Sequence, residues 1–181
     1  QARPIGERVL EIYRTQRGAE HPDTLTAARG LGMLLTGIGQ VEEGGRLLRS
    51  AYEISQRTLA EDHPDRLAAD FSMGDQLIAE SKYQEAQVLL EPSLERHVQV
   101  LGEADRQTQK VMTSLYVAHF HLGQLEQSEK LAKRRLDIVR RVFGADDILT
   151  LRAMTDHQNV LGDLGRIDEA IAMGLEVLAA K

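Results

Sequence analysis

The sequence has no cysteine and no tryptophan, and aromatic residues make up only 4% of it. Without cysteine there is no disulfide framework, no thiol nucleophile and no thiolate metal site. Four prolines occur in 181 residues, two of them inside one recurring motif, so long stretches are free of helix breakers. Lysine and arginine number 22 against 28 acidic residues, a net charge of −6. General affinity for nucleic acid needs a basic excess, so none is expected. No run of about 18 apolar residues exists, and no membrane-spanning segment is expected. Gln1-Ala2-Arg3-Pro4 lacks signal-peptide character, and a start without methionine suggests a processed or excised fragment. A larger bacterial, cytoplasmic parent protein is a separate expectation.

What is present returns at a fixed interval. His21-Pro22-Asp23-Thr24-Leu25 is followed 42 residues later by His63-Pro64-Asp65-Arg66-Leu67. Two further steps of the same length reach Asp105-Arg106-Gln107-Thr108 and Asp147-Ile148-Leu149-Thr150. A period of this size marks a stacked helical array, and such arrays serve binding more often than catalysis. Pro22 and Pro64 suit the first position of a helix, where the missing N–H is not needed. His21, His63, Asp105 and Asp147 then become the N-caps. An apolar run through Leu25, Ala28, Leu31, Leu35 and Ile38 follows, and each first helix stops at Gly39, Ser81, Gly123 or Gly165.

A second helix starts almost at once, with an invariably small residue at Gly44, Ala86, Ser128 and Ala170 that permits close helix approach. Leu47, Leu89, Leu131 and Met173 lie three residues on; Tyr52, Leu94, Leu136 and Leu178 lie five further, on one apolar face. About nine helices are expected. They form a second helix of a truncated repeat at 5–17, repeats at 21–59, 63–101 and 105–143, and a last repeat at 147–181.

These columns resemble the tetratricopeptide repeat, in the 42-residue form of kinesin light chain and many bacterial proteins. The likeness rests on the His-Pro-Asp motifs, the starts at 39–44, 81–86 and 165–170, and the leucine columns, and spans essentially the whole chain. It implies an all-α, right-handed solenoid of stacked antiparallel helix pairs. It also implies a scaffold or regulatory role in which first helices line a concave groove. The groove positions so implied are Arg29, Met33, Phe71, Asp75, Lys110, Val117, His121, Arg152 and Asn159. Their mix of basic and apolar side chains suits a partner protein or peptide with acidic and apolar groups. Phe71 could instead pack against a neighbouring helix. The family's paired asparagines on the first helix are replaced, for example by Arg29-Gly30.

The six histidines carry no zinc spacing, since His119 and His121 point to different faces and no His-x-x-x-His pair occurs. Lys130, Lys133, Arg134, Arg135, Arg140 and Arg141 make the seventh helix basic, which reads as a solvated face or as a surface for an acidic partner. No phosphate-binding loop, nucleophile elbow or dinucleotide fingerprint occurs, so no catalytic residue, metal or cofactor is assigned and no enzyme is expected. Other readings are a self-association arm working through its end helices, or the sensor segment of a signalling ATPase, transcription regulator or kinase.

Overall fold

The computed structural model describes residues 2–179, and these contain nine α-helices and no strand. The helices are α1 (Ala2–Arg17), α2 (Pro22–Gly37), α3 (Val41–Thr58), α4 (Pro64–Ala79), α5 (Tyr83–Leu101), α6 (Arg106–His121), α7 (Leu125–Phe143), α8 (Ile148–Asp163) and α9 (Ile167–Ala179). The chain divides into two compact units, residues 1–96 and 97–181, and the division falls within the α5 sequence.

The starting device is the one expected from the motif. The His21 and His63 rings accept hydrogen bonds at Nδ1 from the Asp23 and Asp65 amides, at 3.2 and 3.1 Å. Asp105 and Asp147 do the same with carboxylate oxygens, accepting from the Gln107 and Leu149 amides at 2.7 and 2.8 Å. Two residue types thus satisfy the same orphan amide. The stopping device also repeats. Gln40 N–H donates to Leu35 O, Lys82 to Leu77 O, Gln124 to His119 O and Arg166 to Leu161 O, all within 2.8–2.9 Å. This closure needs a left-handed residue, and Gly39, Gly123 and Gly165 supply it with φ of 85°, 72° and 74°. Ser81 takes the same conformation at φ 59° despite its Cβ.

Inside unit 1, Leu10, Leu25, Ala28, Leu31, Leu35 and Ala51 form the core between α1, α2 and α3. The small residue of α3 does what its column implies: a Cβ on Gly44 would lie 2.6 Å from the Gly32 carbonyl and 2.9 Å from the Thr36 amide. Inside unit 2, Leu136, Val139, Ala153 and Met154 form a core covered by Leu149, Leu151, Met173 and Val177. Pro92 sits within α5 at an exposed position.

Candidate interaction face

All nine expected groove residues lie on the first helices α2, α4, α6 and α8, and none is buried. In unit 1, α2 and α4 lie side by side. Thr26 Oγ1 donates to Asp65 Oδ1 at 3.3 Å, and the Ser72 hydroxyl reaches the Met33 sulfur at 3.5 Å. Met33 is 38% exposed, a large apolar group open to water. Asp75 is exposed and Phe71 half-buried. Arg29 is less available than its sequence position implies. Its Nη1 donates to the Asp65 carbonyl at 3.3 Å and stands 4.0 Å from that carboxylate. Burial pushes its guanidinium down from the usual range, with Asp65 opposing.

In unit 2, Lys110 and Arg152 are exposed near the N-terminal ends of α6 and α8. Towards the other ends, Val117, His121 and Asn159 meet around an open cavity of about 660 Å³. Tyr116 and Phe120 of α6 and Asp156 and Asp163 of α8 complete most of its wall. The Tyr116 and Phe120 ring centroids are 6.3 Å apart, and Phe120 meets the His121 ring edge-on at 5.7 Å.

Beneath this cavity lies a pair that sequence reasoning missed. Arg135 of α7 is buried and ion-paired through Nη1 with Asp156 Oδ2, and the Tyr116 hydroxyl donates to the Asp156 carbonyl at 3.3 Å. Only the other five basic side chains of α7 are exposed, so the solvated-face reading fails at Arg135. The signal was in the columns. Arg135 occupies the slot of Ala51 and Ser93, and Asp156 that of Gly30, Ser72 and Ser114. Two small positions became charged together. Desolvation pushes Asp156 up and Arg135 down, in each case against the attraction of the partner. Desolvation also pushes the Tyr116 phenol up to about 12, reinforced by the Asp156 and Asp163 charges.

Unit 1 has a similar inward acid: Asp70, 1% exposed, accepts from Gln56 Nε2 at 2.7 Å and lies 3.5 Å from Arg96. His157 is buried with Nε2 3.0 Å from Glu129. As their spacing implies, His119 is buried and His121 exposed. Among the described residues no cluster of three or more histidine, aspartate or glutamate side chains is arranged to hold a metal ion. No described helix is long and apolar enough to cross a membrane.

Two family signatures, both described as tetratricopeptide repeat, match residues 24–65 and 110–181, together more than half of the chain. No curated protein is a significant match. Among solved structures, a point variant of the nearly identical repeats of a kinesin light chain candidate from Podosopora anserina superposes with a TM-score of 0.86. It is 24% identical, over 99% of this chain and 84% of that one. BtubC (BKLC) from P. vanneervenii follows at TM-score 0.80 and 17% identity, over 99% and 72%. MamA from Desulfovibrio magneticus RS-1 is similar at TM-score 0.65 and 13% identity, over 98% and 94%. With the 42-residue period, the capped helix pairs and these matches in place, the chain belongs to the tetratricopeptide-repeat family.

Proposed function

We propose that the chain is a protein-interaction module that holds a partner segment along its first-helix face, a binding rather than a catalytic role. The observation that carries this is the surface character of that face. In unit 2 Lys110 and Arg152 are exposed and Val117 is half-buried on first helices; in unit 1 Met33 of α2 is open to water and Phe71 of α4 is half-buried. Such a face suits acidic and apolar side chains of a partner, through charge-assisted bonds and a few apolar anchors. A helical scaffold formed before binding loses little freedom when the partner arrives.

The test is selection of random dodecapeptides displayed on phage, using the wild-type chain and a Lys110→Glu, Arg152→Glu variant. Enrichment of acidic and apolar peptides that bind the wild type and lose affinity for the variant supports the reading. Peptides that bind both equally contradict it. A cytoplasmic setting belongs to the same proposal and is checked by fractionation.

A second reading, self-association through the end helices, is favoured by one observation. On α1, Ile5, Val9 and Ile12 are exposed; on α9, Ile171, Leu175 and Leu178 are 55–81% exposed. Contiguous apolar stripes of this kind mark contact surfaces. Light scattering across concentrations tests it: a rising mass abolished by Leu175→Glu supports self-association, and a constant monomer mass excludes it.

A further inference from the structure

We infer that the cavity between α6 and α8 is a subsite for a lysine or arginine side chain of the partner segment. The inference rests on the binding face proposed above and adds the opposite charge to it at one place. No lysine or arginine lines this cavity. Its floor carboxylate, Asp156, is already met by buried Arg135. Asp163, at the exposed C-terminal end of α8, has no ion-pair partner among the described residues and is the uncompensated charge at the cavity. Tyr116 and Phe120 contribute two aromatic rings to the lining, and an aromatic face attracts a cation and not an anion. Asn159 adds a neutral amide able to accept from an N–H donor. The upward shift of the Tyr116 phenol reflects burial first, but both aspartates contribute, so the negative field reaches the wall.

The face is therefore polarised along α8, from Arg152 at one end to Asp163 at the other. Arg152 and Asp163 are eleven residues apart on α8, or about 16 Å at 1.5 Å per helical residue. An extended peptide covers that span in about five residues. A partner segment with an acidic side chain near Lys110 and Arg152 and a basic one about five positions away would satisfy both ends. An acidic side chain entering the cavity would meet the like charge of Asp163.

The test uses three acetylated, amidated hexapeptides titrated into the isotope-labelled full chain and followed by amide chemical shifts. Each has glutamate first and leucine third, and the last residue is arginine, norleucine or glutamate. The arginine peptide is expected to shift the amides of Asn159, Gly162 and Asp163 and to bind about fivefold more tightly than the norleucine peptide. Asp163→Asn, at an exposed helix end, is expected to remove that preference while leaving the norleucine peptide unaffected. Equal binding of arginine and norleucine peptides, tighter binding of the glutamate peptide, or a preference that survives Asp163→Asn overturns the inference. If all three peptides shift Lys110 and Arg152 alike, the subsite falls and the binding face stands. If none shifts a first-helix amide, both fall.

Discussion

The Arg135–Asp156 pair gives the sharpest quantitative expectation. The Arg135 side chain is 7% exposed and that of Asp156 is 27% exposed. Removing the acid by Asp156→Ser leaves a buried guanidinium without its partner, at a cost of about 3–5 kcal/mol. Removing the base by Arg135→Ser leaves a carboxylate that water can partly reach, so the cost is smaller, about 2 kcal/mol. The double variant carries serine at both slots, as Ser93 does for one and Ser72 and Ser114 for the other. It should lie within about 2 kcal/mol of the wild type, giving a coupling of about 3 kcal/mol or more. The pH dependence follows from the direction of the Asp156 shift. Burial raises its folded-state pKa above the ordinary carboxylate range, so the folded chain keeps this proton to a higher pH than the unfolded chain. Its contribution to stability is full below that range and declines as pH rises through the raised value, and the double variant should lack this decline. Urea unfolding followed by far-ultraviolet circular dichroism measures both. Additive single-variant losses would refute the reasoning, because they would mean the two charges do not compensate one another.

Other expectations concern the scaffold and the face. His63→Ala removes the acceptor for the Asp65 amide and should cost about 1 kcal/mol in urea unfolding, whereas His63→Asp should be nearly neutral. Gly44→Ala should destabilise by about 2–3 kcal/mol in the same measurement, because the new Cβ meets unyielding backbone, although Ala86 and Ala170 fill the equivalent slot elsewhere. The Tyr116 phenol should ionise near pH 12 in an ultraviolet titration, as a step that Tyr116→Phe removes. Stability from this group is present below about pH 10 and lost as pH rises towards 12, and Tyr116→Phe should remove that part of the alkaline loss. Arg152→Glu should weaken binding of a selected acidic peptide, and more at low salt than at physiological ionic strength, read by calorimetry.

Helix starts and stops were legible because each depends on a few adjacent residues. The cap at His21 and the left-handed Gly39 are local devices, and the period repeats them four times. Side chains that act across repeats were less legible. Arg29 looked like a groove cation, but its partner Asp65 belongs to the next motif, 36 residues on, and draws it towards the α2–α4 seam. Arg135 was hidden in a basic run whose neighbours are solvated; only its departure from Ala51 and Ser93 marked it as inward. Asp70 carries the same signal, standing in the column of Ala28, Met112 and Met154. The cavity could not be read at all, since it depends on how Tyr116 and Phe120 pack beside α8.

The central claim is that partners dock on the first helices and not on the second. Site-specific photo-crosslinking tests it most directly, with benzoylphenylalanine placed at half-buried Thr113 on α6 or at exposed Lys130 on α7. A selected, affinity-tagged peptide should crosslink from position 113 and not from position 130. Crosslinking from 130 with none from 113 would contradict the account.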